Sequence, residues 1–190
     1  MLFYDIETLR GPDEVEGGWT NPYGMGFGTA VVFNDKNNLY SFYGPNDAGL
    51  LLNNLNSEIV VSFNGIKFDN RVLLGNENKE EYWVDIDLLL EVVKSKFKVQ
   101  SVLEAEEKYG NQLIHDGSIG LNGLSQGTLG LSKTGHGAHA PELIKQRKWA
   151  EVFSYNLNDV RLTKMLYKYA KKYNRLIDGK GNIIKLNLDV

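Results

Sequence analysis

The sequence predicts an α/β fold, in which a central sheet is covered by helices. The first half of the chain contains short apolar runs of strand-like composition, and two of them are separated by the turn-forming segment NDKNN. The second half is dominated by a long segment of helical periodicity, residues 143–173. The predicted order, three strands followed by a helix, a strand and further helices, is typical of a sheet with helices packed on it.

The first half of the chain is predicted to form the sheet. Residues 2–7 predict a buried strand, and the segment that follows, 9–22, predicts a loop because it contains glycine, proline and asparagine. The next two runs predict the strands of a hairpin. The ranges predicted in this half are strands at 23–34, 39–44 and 58–63, helices at 45–56 (with Asn46 as N-cap) and 67–74, and a strand that runs into a helix over 82–97.

The second half is predicted to be mainly helical. Residues 98–121 fit no single pattern, although the stretch VLEAEEKYG has helical character. Glycines bound a predicted helix at 121–130, and a glycine-rich loop at 131–142 precedes the long helical segment, which we expect to divide near Lys148. The tail has strand-like residues on both sides of a glycine turn, which predicts a second hairpin.

Composition limits the classes of function. The chain has 190 residues, of which 42% are apolar, and this is enough for a single domain, 1–190, with its own core. The absence of cysteine excludes disulfides and thiolate metal sites, and it favours a reducing compartment such as the cytoplasm. No apolar run approaches the ~20 residues that a membrane span needs, and the N-terminal residues lack a signal-peptide pattern, so neither is expected. The net charge of −3 does not by itself indicate nucleic-acid binding.

Two carboxylates occur in the first predicted strand, in the stretch FYDIETLR. Asp5 and Glu7 are two residues apart, so they project from the same side of a strand. Because adjacent carboxylates repel each other, a buried pair needs compensation, and Mg²⁺ or Mn²⁺ provides it through hard oxygen ligands. The alternative is that the pair is solvated at a strand end.

A third carboxylate follows another predicted strand, in the stretch VVSFNGIKFDNRVLL. Asp69 opens a predicted helix at the point where a loop delivers it to the end of the sheet. Asn64 and Gly65 suit the turn, and Phe68 is expected to anchor the loop in the core. The alternative is an ordinary aspartate at a helix N-terminus, which the helix dipole favours.

A fourth carboxylate lies in the long helical segment, in the stretch FSYNLNDVRLTKMLY. Tyr155 precedes Asp159 by four residues, so the hydroxyl and the carboxylate lie on the same face, one turn apart. The alternative is a surface aspartate with a core tyrosine.

Together these three segments resemble the motifs of the DEDD superfamily of 3′–5′ exonucleases, in its tyrosine-containing (DEDDy) branch. DIET resembles the first motif, NGIKFD the N-x-x-x-F-D form of the second, and YNLND the Y-x-x-x-D form of the third. The other branch has histidine five residues before the last aspartate, where this chain has Ser154. Residues 123–163 also resemble small predicted exonucleases that are related to the proofreading domain of family B DNA polymerases, whereas 9–22 and 98–118 are not matched.

The resemblance implies a ribonuclease H-like fold, with a central mixed sheet and helices on both faces, and two-metal-ion hydrolysis of phosphodiester bonds. Asp5 would bridge two Mg²⁺ or Mn²⁺ ions, Glu7 and Asp159 would complete one of them, and Asp69 would hold the other largely through water. Tyr155 would orient the attacking water, since a phenol with a pKa of about 10 is a poor general base at neutral pH.

The expected substrate is the 3′ end of a single-stranded nucleic acid, with DNA favoured over RNA. The residues expected to contact it are Thr8, Asn64, Phe68 and Lys133. A replication or repair protein is the expected protein partner. The alternative function is a catalytically inactive nucleic-acid-binding or assembly module of the same fold, but the presence of all four carboxylates and the tyrosine favours an enzyme.

Other polar residues allow more than one interpretation. Asp85 and Asp87 either support the metal site or, in the case of Asp87, cap the following helix. His136 and His139 have a spacing that binds zinc on a helix, but they lie in a glycine-rich loop, where substrate contact or solvation is expected instead.

A basic stripe follows Asp159 in the predicted helix and beyond. Between residues 161 and 180 there are seven basic residues and one acidic residue, a net charge of +6. The stripe either attracts a phosphate backbone or forms a solvated helix face near a helix C-terminus. Its members at near-helical spacing are Arg161, Lys164, Lys168, Lys172 and Arg175.

Overall fold

The structure, a computed structural model, describes residues 1–75, 85–109, 117–135 and 139–188. The fold is α/β, with a five-stranded mixed sheet flanked by helices. β1 pairs antiparallel with β2 and parallel with β4, and it is the central strand because two strands lie on each side of it. The strands, in the spatial order β3-β2-β1-β4-β5, are β1 (Leu2–Thr8), β2 (Phe27–Asn34), β3 (Leu39–Tyr43), β4 (Val60–Ser62) and β5 (Asp85–Asp87).

Helices follow most of the strands, and a small hairpin follows the longest helix. The helices are α1 (Pro22–Met25), α2 (Ala48–Leu55), α3 (Asp69–Leu74), α4 (Leu88–Phe97), α5 (Val102–Tyr109), α6 (Leu121–Leu129), α7 (Ala140–Lys145) and α8 (Trp149–Tyr173). The hairpin consists of β6 (Arg175–Ile177) and β7 (Ile183–Lys185), which are antiparallel. Across the described ranges, no helix has both the length and the apolar character needed to cross a membrane.

The chain divides into two compact units, each built from two segments. The first unit contains Met1–Ile86 and Thr134–Val160, and the second contains Asp87–Lys133 and Arg161–Val190. Helix α8 contributes to both, because the division falls after Val160. The single domain expected from the sequence therefore stays a prediction.

Most of the predicted elements are confirmed. The first strand, both hairpins and the helical character of VLEAEEKYG are present. The long helical segment divides near Lys148 as expected, since α7 ends at Lys145, α8 begins at Trp149, and Arg147 between them has a φ of +56°. The predicted strand residues 82–84 and the ambiguous residues 110–116 lie outside the described residues.

Several predicted element boundaries are wrong. The loop predicted at 131–142 ends before Ala140, where α7 begins. The second strand begins at Phe27 rather than at residue 23, because the preceding residues form the short helix α1. Asn21 caps that helix by accepting a hydrogen bond from the Gly24 amide (3.0 Å), and Pro22 suits its first turn. The residue before α2 is Asp47 rather than Asn46, and its backbone oxygen accepts a hydrogen bond from the amide of Leu51 (2.9 Å).

One face of the sheet packs on α2 and α3. Leu2, Tyr4 and Ile6 of β1 are almost completely buried there, in one hydrophobic cluster with leucines of α2 and Val72 of α3. Because side chains alternate along a strand, this packing turns the intervening residues, including Asp5, toward the opposite face.

A bulge ends the ladder between β1 and β2. Glu7 pairs with Thr29 but Thr8 pairs with Phe27, so Gly28 is the extra residue on β2. A Cβ on Gly28 would lie 2.8 Å from the backbone oxygen of Glu7 and 2.7 Å from a side-chain atom of α7. The position therefore requires glycine.

Gly28→Ala is expected to lower the free energy of unfolding by about 1–3 kcal/mol, because the added methyl displaces the end of β1 or helix α7. Gly49 in α2 is the matched control, since a Cβ there meets no described atom within 4 Å. Gly49→Ala is expected to raise the free energy of unfolding by about 0.4–1 kcal/mol. Urea unfolding measures both, and wild-type stability of the Gly28 variant would contradict the close approach at the bulge.

In the second unit, a fully buried aspartate closes the turn between β6 and β7. Asp178 Oδ2 accepts a hydrogen bond from Lys96 (2.8 Å), and its Oδ1 accepts hydrogen bonds from the backbone amides of Lys180 and Asn182 (both 2.9 Å). Burial raises the pKa of this carboxyl, but the hydrogen bonds from Lys96, Asn182 and Lys180 outweigh it and lower the pKa from 3.8 to about 2.

The lowered pKa of Asp178 predicts a loss of stability in acid. Because the folded pKa lies below the unfolded one, the stabilisation is complete above the unfolded value and disappears as the pH falls from about 4 to about 2. The shift corresponds to about 2 kcal/mol. Between pH 7 and pH 2, wild type is expected to lose about 2 kcal/mol more unfolding free energy than Asp178→Asn. Equal losses in the two proteins would contradict this.

Candidate active site at the end of the first strand

Asp5 and Glu7 lie on the same face of β1, opposite the face that packs on α2 and α3. Asp5 is half-buried and Glu7 is 7% exposed. Glu7 is the last residue before the bulge, so it lies at the carboxyl end of the ladder. The expectation that a strand brings these two carboxylates to one side is confirmed.

Asp69 is delivered to the open edge of β1. β4 pairs with β1 only through Leu2 and Phe3 in the described register, so β1 extends past its parallel neighbour. Asp69, the first residue of α3, lies beside the part of β1 that extends past β4. Its Oδ1 accepts a hydrogen bond from the backbone amide of Ile6 (3.0 Å). Because Ile6 lies between Asp5 and Glu7, the Asp69 carboxylate contacts β1 between these two positions. Asp69 is 4% exposed.

A tight turn between β4 and α3 sets this position. Asn64 has a φ of +66°, and its backbone oxygen accepts a hydrogen bond from the amide of Phe68 (3.0 Å). A Cβ on Gly65 would lie 2.3 Å from Oγ of Ser62, so the turn also requires glycine there. Phe68 is half-buried against the hydrophobic cluster. The roles expected for Asn64, Gly65 and Phe68 in this turn are confirmed, whereas the substrate contacts of Asn64 and Phe68 stay predictions.

The first part of α8 packs on the other face of β1. Nδ2 of Asn156 donates a hydrogen bond to Oδ2 of Asp5 (3.1 Å). Asp159 follows Asn156 by three residues, so it lies on the same side of the helix, and it is 3% exposed. Tyr155 is half-buried, and Gly135 packs so closely on its ring that a Cβ would lie 2.8 Å from Cε2.

The three acidic segments therefore meet at one strand. Asp69 contacts the backbone of β1 from one side, and Asn156, next to Tyr155 in α8, contacts the side chain of Asp5 from another. The elements come from positions separated by 63 and 151 residues along the chain. This convergence is what the sequence motifs require of a shared site.

The other residues expected to contact substrate lie in different surroundings. Thr8 is 8% exposed, and its Oγ1 donates to the backbone oxygen of Arg10 (2.9 Å). Lys133 belongs to the second unit, where its backbone amide donates to Oδ1 of Asn122 (2.9 Å).

Of the residues with two interpretations, Asp87 is the N-cap of α4. Its Oδ1 accepts hydrogen bonds from the amides of Leu89 (2.9 Å) and Leu90 (3.3 Å), which confirms the capping alternative. His139 is exposed at the start of α7. The side chain of Asp85 and the whole of His136 lie outside the described residues.

The basic stripe lies in the second unit and is largely exposed. Arg161, Lys168, Lys172 and Arg175 are exposed, whereas Lys164 is half-buried. Both alternatives for the stripe, phosphate attraction and a solvated face, are compatible with this exposure.

Two buried polar residues beside the carboxylates were not predicted from the sequence. Asn156 is completely buried, and its Oδ1 has no hydrogen-bond partner among the described residues. Thr29 is also completely buried opposite Glu7, and its Oγ1 likewise has no partner in the described part of the chain. The helical spacing of apolar residues gives a signal for Asn156, which lies in the apolar stripe of α8, four residues after Val152 and four before Val160.

A pocket of about 560 Å³ opens next to Glu7 and Thr8. The ring of Trp19, which is 68% exposed, packs on Phe68 in its wall, with ring centroids 5.9 Å apart. On the rim, Lys145 pairs with Glu14. The hydrogen bond from Lys145, and to a smaller extent the one from the backbone amide of Gly11, lowers the pKa of the Glu14 carboxyl.

The residues present fit hard divalent cations in their chemistry. The side chains near the end of β1 offer carboxylate, amide and hydroxyl oxygens, which Mg²⁺ and Mn²⁺ prefer, and two of the buried oxygens lack a partner among the described residues. Among the residues that the structure describes, no three histidine, aspartate or glutamate side chains form a preassembled metal site. The arrangement suits a cation that keeps water and shares ligands with a substrate phosphate.

No protein-family model matches this chain, and the curated proteins include no significant match to it.

Proposed function

We propose that this protein is a metal-dependent 3′–5′ exonuclease of the DEDDy type, with a ribonuclease H-like fold. The observation that supports it most is the meeting of the three acidic segments at β1, through the Asp69–Ile6 and Asn156–Asp5 hydrogen bonds. The mixed sheet with β1 at its centre is compatible with a ribonuclease H-like fold.

Asp5, Glu7, Asp69 and Asp159 would hold two Mg²⁺ or Mn²⁺ ions. Such ions stabilise the negative charge of an in-line displacement at phosphorus and lower the pKa of water. Burial of Glu7, Asp69 and Asp159 keeps bulk water away from these carboxylates, which strengthens their interaction with a cation. Tyr155 would orient the attacking water by a hydrogen bond from its hydroxyl.

The substrate is proposed to be the 3′ end of a single strand, with DNA favoured over RNA. Thr8, Asn64, Phe68 and Lys133 are its proposed contacts, and a replication or repair protein is the proposed partner. The pocket beside Glu7 and Thr8 supports a substrate that reaches this end of β1, since its wall presents an exposed aromatic ring on which a base can stack. A reducing compartment, such as the cytoplasm, is the proposed location.

A degradation assay with end-labelled oligonucleotides tests this proposal. Single-stranded DNA and RNA carrying a 5′ label are incubated with Mn²⁺ or with EDTA, and a circular single-stranded DNA serves as control. We expect a ladder that shortens from the 3′ end with Mn²⁺ only, while the circle stays intact. Cleavage of the circle would indicate an endonuclease, and binding without any metal-dependent product would indicate the inactive module instead.

A further inference from the structure

Asn156 occupies a position in α8 where the helical pattern requires an apolar residue. Val152 and Val160, one turn before and one turn after it, are completely buried, and so is Asn156. A buried amide is unfavourable unless its polar atoms are hydrogen-bonded. The packing of α8 therefore gives no reason for asparagine at this position.

The Asn156 amide contacts the carboxylate site through its nitrogen, and its oxygen is buried nearby. Nδ2 donates to Oδ2 of Asp5 (3.1 Å), and this contact restricts rotation of the carboxylate. Oδ1 has no partner among the described residues. Because the oxygen and nitrogen of an amide are about 2.2 Å apart, Oδ1 lies within roughly 5.5 Å of the same Asp5 oxygen.

We propose that Asn156 is a positioning residue for Asp5, an inference that rests on the nuclease function proposed above. Its Nδ2 holds the Asp5 carboxylate in the orientation in which that carboxylate would meet a divalent cation. Its buried Oδ1 is the acceptor for a ligand that enters the site with the cation. Asn156 thus belongs to the supporting shell of the cation site, where partners of the ligands commonly change metal affinity by about 10–100-fold when they are replaced.

Three variants test this role. Asn156→Leu has a similar volume and removes both polar atoms, while Asn156→Ser, which is too short to reach Asp5 but stays polar, serves if the leucine variant does not fold. Asn158→Leu is the matched control, since Asn158 is half-buried and lies two residues later, on a different side of α8. The measurements are the melting temperature, the dissociation constant for Mn²⁺ alone from the electron paramagnetic resonance signal of free Mn²⁺, and kcat and KM in the oligonucleotide assay.

We expect Asn156→Leu to weaken Mn²⁺ binding about tenfold or more and to lower kcat with KM for the oligonucleotide unchanged. Its melting temperature is expected to stay equal to that of wild type or to rise, because a polar atom without a described partner is removed from the interior. Asn158→Leu is expected to bind Mn²⁺ as wild type does. Mn²⁺ affinity within twofold of wild type in the Asn156 variant, or a fall in melting temperature as its only change, would overturn the inference.

The Mn²⁺ measurement separates this inference from the proposed function. If wild type shows no nuclease activity, the comparison of Mn²⁺ affinities still decides the role of Asn156. If wild type degrades DNA while Asn156→Leu keeps wild-type Mn²⁺ affinity and rate, the nuclease function stands and the positioning role is wrong.

Discussion

Asp5→Asn and Asp159→Asn are each expected to lower metal-dependent degradation by about 10³-fold or more while the melting temperature changes by only a few degrees. Each change removes one negative charge from the proposed cation site and keeps the size of the side chain, so the loss arises from weaker cation binding and weaker stabilisation of the transition state. Asp35→Asn, at an exposed turn position after β2, is the control and is expected to retain wild-type rates. The assay is the rate at which a 5′-labelled oligonucleotide is shortened with Mn²⁺.

Two outcomes would count against this expectation. Wild-type rates in both variants would mean that the carboxylates at the end of β1 do not take part in the reaction. A large fall in melting temperature together with the loss of rate would mean that the substitutions act through the fold, and circular dichroism of the same samples detects it.

Two substitutions of Asp69 are expected to separate its structural role from its proposed catalytic role. Asp69 Oδ1 accepts a hydrogen bond from the buried amide of Ile6, and an asparagine Oδ1 can accept the same bond. Asp69→Asn is therefore expected to keep wild-type stability and to lose about 10²-fold or more in rate, since only the charge is removed. Asp69→Ala leaves the Ile6 amide without its acceptor, so it is expected to lose the activity and also about 1–3 kcal/mol of unfolding free energy.

Urea unfolding and the oligonucleotide assay, applied to both Asp69 variants, give the comparison. Equal stability of the alanine and asparagine variants would show that the contact with Ile6 does not hold the edge of β1. Full activity of Asp69→Asn would show that its charge is not needed and would remove it from the proposed cation site.

Much of this fold can be predicted from short stretches of sequence, because strands and turns of the first unit have the composition typical of these elements. The apolar run in FYDIETLR predicts β1, and a strand there places Asp5 and Glu7 on one side. The turn NDKNN predicts the hairpin of β2 and β3. The parallel pairing of β1 with β4 then explains why Asp69, which follows β4, reaches the same end of the sheet as Glu7.

Residues whose roles depend on tertiary neighbours are harder to predict. Asn156 is the clearest case, since its sequence context shows a polar residue in an apolar stripe but not that Asp5 lies opposite. Asp87 fits two patterns equally, and only the hydrogen bonds that it accepts from the amides of Leu89 and Leu90 decide for a helix cap. The bulge at Gly28 is set by the approach of α7 and by the backbone of Glu7, neither of which is visible in the residues around it.

The central claim is that the carboxylates of Asp5, Glu7, Asp69 and Asp159 share divalent cations. The most direct measurement is a crystal of the protein soaked with Mn²⁺ and a nucleoside 5′-monophosphate, with data collected at a wavelength where manganese scatters anomalously. We predict anomalous peaks at the end of β1, within bonding distance of these carboxylates, and their loss in Asp5→Asn. Crystals in which Mn²⁺ binds elsewhere, or in which these carboxylates bind no Mn²⁺ at saturating concentration, would contradict the account.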